Sequence, residues 1–339
     1  MVIFTQSWTS LTDTQTKVYA DACQYFEVYR DAARRAAGFP GWMFWKRYPS
    51  GKDYLVHAYD RTGKGTTLGG RSPENEARLE EFKTQQSEAK LRLKIAKNHL
   101  AEHARFCKAA RINRVPRHAA AVIRAFGERA SSVELIVVGT HSLYAYEALC
   151  AAYFLPAVME TQDLDVLWDS SERLIASVAG KTSEPVMPTT LEILRTVDSM
   201  YTRNEERTFQ ARNAAGFSVD FLAANEAAPT NKSERITPLV VTGLDALMAA
   251  TISEIVIDQD GLPLEIRAPD PRLFAAHKVW LSERPDRHPG KRDRDRSQSA
   301  AVADVLHKRR PALQPLPSLP DNPDAARLGA VLHDLDLDG

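Results

Sequence analysis

The chain has 339 residues, too many for one small core and the size of two domains or of one domain with large additions. Hydrophobic residues make up 44% and charged residues 26%, the balance of a soluble globular protein, and 44 Lys and Arg against 44 Asp and Glu leave a formal charge of zero. No global field therefore draws a nucleic acid or a membrane, and any such partner must meet a local patch.

Cys23, Cys107 and Cys150 lie far apart without a CxxC pair, which argues against a zinc knuckle or a disulfide framework. No run approaches the ~20 apolar residues of a membrane span, and the opening MVIFTQSWTSLTDTQ has no basic start leading into an apolar stretch, so the expected location is the cytoplasm.

From Thr12 to Ala36 a stripe of Val18, Ala22, Tyr25, Phe26, Tyr29 and Ala33 predicts a helix, acidic early and arginine-rich late. Two aromatic-rich runs then flank Pro49-Ser50-Gly51-Lys52 and predict a β-hairpin whose tryptophans are core. RTGKGTTLGG resembles a phosphate loop, but Ala58 stands where the Walker pattern needs glycine, so a solvated connector is expected. Over residues 75–108 Leu79, Phe82, Ala89, Leu93, Ala96 and Leu100 predict one long helix. Between Lys90 and Ala130 eleven Lys or Arg face only Glu102 and Glu128, a basic patch of a solvated helix face or of a nucleic-acid surface.

SSVELIVVG then reads as a buried strand ending at Gly139, with a helix behind it through Leu143, Glu147, Cys150 and Phe154. METQDLDVLW is a second strand, RTFQAR and FSVDFLA are a pair around Asn213–Gly216, and Ile236–Val241 is another. Helices are expected at about 243–250, 270–282 and 295–309, and the five prolines of PALQPLPSLPDNP predict an extended or mobile tail.

Alternate strand residues share a face, so Asp163 and Asp165 point together while Leu164 and Val166 face a core. Two carboxylates held this close resist joint ionisation unless water or a cation screens them. Asp220 on a later strand makes a third ligand for Mg²⁺, which prefers carboxylates together with substrate phosphates. Upstream, a glycine at the strand exit lets backbone approach a phosphate, and Thr140 and Ser142 add hydroxyls at a helix start.

This order of strand, glycine turn, helix, Asp-x-Asp strand and third carboxylate resembles the polymerase-β-like nucleotidyltransferase superfamily. More narrowly, GWMFWK…YLV…LGGRSPE, VVGTHSLYAYEA, TQDLDVLW, SVDFL and HKVWLSER…KRDRDRSQ look like the bacterial nucleotidyltransferase family of the GSU2403 type. The resemblance implies an α+β fold: a nucleotidyltransferase mixed sheet with flanking helices over 131–270, a mainly helical N-terminal region with a β-hairpin over 1–130, a helical segment over 271–310 and a Pro-rich, acidic tail over 311–339.

It further implies Gly139, Thr140 and Ser142 on the triphosphate, and Asp163, Asp165 and Asp220 as both catalytic and metal-binding residues of a two-metal Mg²⁺ site. Related proteins place a lysine on the nucleotide phosphates where this chain has Lys278, with Arg284, Lys291, Arg292, Arg294 and Arg296 just beyond it. The turn departs from the family pattern, reading Gly-Thr-His-Ser instead of Gly-Ser or Gly-Gly, and His141 within it receives no chemical role.

The expected function is transfer of a nucleoside monophosphate from a nucleoside triphosphate to an acceptor hydroxyl, RNA or tRNA being favoured through the basic segment 90–130. Superfamily relatives include toxins that modify tRNA or protein and enzymes that modify antibiotics, and the sequence does not choose among them. The alternative is a non-catalytic nucleic-acid- or partner-binding protein on the same scaffold. Hydrolase, zinc-protease and dinucleotide readings fail, because GxSxG, HExxH and GxGxxG are all missing.

Overall fold

A computed structural model of the chain describes residues 7–59, 64–129, 135–159, 163–168, 189–224, 236–241 and 243–338. They form two compact units, one of residues 17–112 and one of the residues before and after them. No helix among the described residues is long and apolar enough to cross a membrane.

After strand β1 (Trp8–Ser10), helix α1 (Asp13–Ala37) carries Asp13 in its first turn and Arg34 and Arg35 in its last, charges that complement the helix dipole. The hairpin forms as expected from β2 (Trp42–Arg47) and β3 (Asp53–Ala58), paired antiparallel. Two expectations change here. Trp42 is 40% exposed, and residues 65–70 of the expected connector form β4 (Gly65–Gly70), which extends the hairpin to three strands. Residues 61–63 of that stretch lie outside the described residues.

The long helix α2 (Pro73–Ala109) starts where Ser72 accepts a hydrogen bond from the Asn75 amide, with Pro73 in the first turn where its missing N–H costs nothing. Leu79, Phe82, Ala89, Ala96, Leu100, His103 and Cys107 form its buried stripe, and His103 Nε2 lies 3.1 Å from the Val18 carbonyl of α1.

In the second unit come helix α3 (Arg117–Arg129), β5 (Leu135–Val138), a 3-10 turn (Gly139–Ser142), α4 (Leu143–Cys150), β6 (Ala152–Phe154), α5 (Pro156–Met159) and β7 (Asp163–Trp168). Next are α6 (Thr190–Val197), β8 (Thr202–Arg203), β9 (Gln210–Arg212), β10 (Ser218–Ala223), β11 (Leu239–Val240), α7 (Leu244–Met248), β12 (Thr251–Ile257) and β13 (Pro263–Pro269). Three helices end the chain: α8 (Pro271–Glu283), α9 (Pro289–Arg309) and α10 (Pro323–Asp334). Mixed sheet and helices together make an α+β architecture.

The sheet runs β5-β7-β10-β9-β8, with β11 also on β10. β5 is antiparallel to β7, β7 parallel to β10 and β10 antiparallel to β9. Its apolar face joins α3, α4 and the C-terminal helices in one core built on Phe126, Ile136, Tyr146, Leu164, Phe221 and Phe274.

β1 is sewn into this unit by pairing with β6 and by Trp8 Nε1, which donates to Asp304 of α9 at 2.7 Å. The hairpin of β12 and β13 was not expected; Asp258 closes its turn by accepting from the amides of Asp260 and Leu262. The tail expectation fails over 323–334: Asn322 caps α10 by accepting from the Ala325 amide, and Ala325, Leu328 and Leu332 are buried.

Candidate functional site

Strand alternation builds the site. In β7 Leu164 and Val166 are fully buried, which leaves Asp163 and Asp165 on the other face. β10 repeats the pattern, with Val219, Phe221 and Ala223 inward and Asp220 on the alternate face. The parallel register sets Asp220 directly beside Asp165, and ligand oxygens of Asp163, Asp165 and Asp220 all lie within 4.8 Å of one another.

Burial, then the charges of Asp163 and Asp220, push the Asp165 carboxyl up to about 7, against the pull of Lys278 and Lys291. Asp220 is also raised, mainly by burial, and Gln210 of β9 opposes the shift by donating to Asp220 Oδ1 at 2.7 Å. Three carboxylates this close, with the Asp163 charge raising both Asp165 and Asp220, form an oxygen cage compatible with a divalent cation, whose charge reverses that penalty.

The glycine turn closes one side. Val138 of β5 lies opposite Asp165, and Gly139 comes next with φ +66°. A side chain there is excluded twice, because φ is left-handed and because a Cβ would run into Asp165 Oδ2. Gly139→Ala should weaken Mn²⁺ binding by about 10-fold, a step of about 1.4 kcal/mol, because a Cβ at 139 displaces Asp165 Oδ2 from its place in the cage. Calorimetric titration checks this; an unchanged Kd would mean that Asp165 can turn away from position 139 without leaving the cage.

The turn's hydroxyls are engaged inward. Ser142 Oγ donates to the Gly139 carbonyl at 2.7 Å, and Thr140 Oγ1 accepts from Gln298 Nε2 of α9 at 3.1 Å, both residues being buried. Ser142 thus shapes the turn, and of its four residues only Gly139 is not buried. His141 is buried as well; burial takes its ring down to about 4, opposed by the charge and main chain of Asp163.

Lys278 differs from expectation most. Its ammonium is buried in α8 and donates to Asp295 Oδ1 of α9 at 2.8 Å, while Arg287 holds Asp295 Oδ2 at 2.7 Å. Burial lowers the Lys278 pKa, and Asp295 and Asp165 oppose that shift. Lys278 is therefore a buried charge behind the carboxylates, paired to a fixed partner.

Lys291 is an exposed cation whose charge acts on both Asp165 and Asp220, and exposed Arg207 adds to it at Asp220. Lys291, Asp295 and Gln298 are spaced i, i+4, i+7, so one face of α9 carries the exposed lysine, the anchor of Lys278 and the anchor of Thr140. Sequence reasoning had Lys291 only as one of several cations and missed Asp295, Gln298 and Gln210. The i, i+4, i+7 spacing was the available signal, hidden in a run of alternating Arg and Asp that reads as solvated.

No curated protein and no solved structure matches the chain. The model of a family described as nucleotidyltransferase matches residues 117–315, more than half of the chain, from the start of α3 past the end of α9 and including all three aspartates. By that match the protein belongs to this nucleotidyltransferase family.

Proposed function

We propose that the protein is a Mg²⁺-dependent enzyme that transfers a nucleoside monophosphate from a nucleoside triphosphate to an acceptor hydroxyl and releases pyrophosphate. In this reading it is polymerase-β-like and of the GSU2403 type, with residues 131–270 as catalytic core and 271–310 as the cationic segment beside it. The observation that carries the reading is the convergence of Asp163, Asp165 and Asp220 beside the Gly139 turn.

Asp163, Asp165 and Asp220 would hold two Mg²⁺ ions, hard cations suited to carboxylates and phosphate oxygens. Bound Mg²⁺ supplies a lowered pKa for the attacking hydroxyl and charge stabilisation for the leaving pyrophosphate. Asp220, oriented by Gln210, takes the proton of the acceptor hydroxyl. The backbone at Gly139 and Thr140 approaches the triphosphate, Ser142 keeps that turn in shape, and Lys291 neutralises the phosphates from solvent while Lys278 adds charge from behind Asp295. RNA is the favoured acceptor, since it presents free hydroxyls on a polyanion that the basic residues of this neutral chain can hold.

The test incubates the protein with each labelled nucleoside triphosphate, Mg²⁺ and total bacterial RNA or protein, beside the Asp163→Ala/Asp165→Ala variant. Label should enter a macromolecule with the wild type alone. Equal labelling by the variant, with its fold intact by circular dichroism, sinks the assignment of these carboxylates.

A further inference from the structure

The basic stretch between residues 90 and 130 divides in the structure. Arg114, Arg117 and Arg124 are engaged by Glu147, Asp260 and Asp258 of their own unit. On α2 the opposite holds: Lys90, Lys94, Lys97, Arg105 and Lys108 are all exposed, and among the described residues none of the five is paired with a carboxylate. At 3.6 residues per turn they fall within an arc of about 80° and form a row about 27 Å long, over about five turns.

Two ordinary explanations fall short. Cations complement the helix dipole only in the last turn, which covers Lys108 and leaves the other four. Nor is the row needed for packing, because the buried stripe through Ala89, Ala96, Leu100 and Cys107 lies on a different face. The charges are also segregated: residues 73–89 contain five Glu against Arg78 and Lys83, whereas 90–108 contain Glu102 alone among acids. Five unscreened like charges on one rigid rod repel each other, and an extended polyanion is the ligand that relieves this along the whole row.

We propose that this face of α2 binds the phosphate backbone of an RNA; that this RNA is also the acceptor rests on the nucleotidyl-transfer reading, and the binding does not. An anionic membrane fits less well, since exposed Leu91, Ile95 and Phe106 are interrupted by Asn98 and Glu102 and make no continuous apolar face.

The test measures binding of the full chain to fluorescently labelled total tRNA over a range of salt, by anisotropy, for the wild type, the triple variant Lys94→Gln/Lys97→Gln/Lys108→Gln, the matching triple Lys→Arg variant and Asp163→Ala/Asp165→Ala. Five phosphate contacts give a log–log salt slope of about −3.5 to −4.5. The Gln variant should lose about 2 to 3 of that slope and weaken roughly 100-fold at ~0.1 M salt, whereas the Arg variant and the aspartate variant should bind as the wild type does. The proposal is overturned if the Gln variant keeps the wild-type slope, or if the wild type binds phosphatidylserine vesicles and no tRNA. RNA held through α2 with no label transferred would refute the transferase reading alone; transfer to a protein or small molecule with no RNA binding would refute this one alone.

Discussion

Changing Asp165 to Asn should lower nucleotidyl transfer by about 10³-fold or more, the value of some 4 kcal/mol of lost charge stabilisation, while making the metal-free protein more stable. The two effects share one cause. Asp165 is nearly isosteric with Asn, but its carboxyl is raised to about 7 by burial and by Asp163 and Asp220. An acid whose pKa is higher folded than unfolded binds more protons in the folded state. Its favourable contribution is therefore complete below about pH 4 and is lost as pH rises through about 7.

The penalty at pH 8 is about 2–4 kcal/mol, and Asn at 165 avoids it. Melting curves should show the variant above the wild type by roughly 5–10 °C at pH 8 and level with it near pH 4. Added Mn²⁺ should raise the wild type and leave the variant almost unmoved. A variant less stable than the wild type at pH 8 would mean that the three carboxylates do not repel one another, and the metal site would lose its physical basis.

Removal of Asp295 should do the opposite. Asp295 is fully buried and binds Lys278 on one oxygen and Arg287 on the other. Asp295→Ala leaves two cations facing a buried gap, and breaking such a pair from one side costs about 3–5 kcal/mol. Urea unfolding should show a midpoint lowered in proportion, with an unchanged m-value. Asp295→Leu/Lys278→Met, which removes the fully buried pair and leaves only Arg287, whose side chain is a quarter exposed and can turn to water, should recover most of that stability, yet its KM for the nucleotide should stay high if Lys278 acts on the phosphates through space. Recovery of both stability and KM would make the lysine purely structural.

Local patterns made part of the site legible. Leu164 and Val166 around Asp165, and Val219 and Phe221 around Asp220, declare a strand face within a few residues, and the structure places all three aspartates accordingly. The consequences of strand pairing were not legible: nothing near Gln210 announces that β9 brings it to Asp220.

Other signals were present and outweighed. Asp260-Gly261 between ISEIVI and LPLEIR is a hairpin turn, missed because the surrounding residues also suited loop between helices. In the tail, Asn322-Pro323 is the same cap-then-proline start seen at Ser72-Pro73 and Asp270-Pro271, but four prolines just before it suggested an extended chain. Asp295 illustrates a harder limit, because a charge buried by two partners from elsewhere in the fold looks, in one dimension, like a charge in water.

The stitching of β1 bears on the order in which the molecule assembles. Trp8 reaches Asp304 across 296 positions, and β1 has no partner until β6 exists, whereas residues 17–112 contain their own helices and three-stranded sheet. During synthesis that inner segment can collapse first, and doing so shortens the effective loop whose closure entropy the first strand must overcome. A ribosome-bound chain long enough for residue 112 to have left the exit tunnel should therefore already protect α2 from proteolysis while Trp8 remains open to solvent, and burial of Trp8, read by its fluorescence, should coincide with emergence of α9.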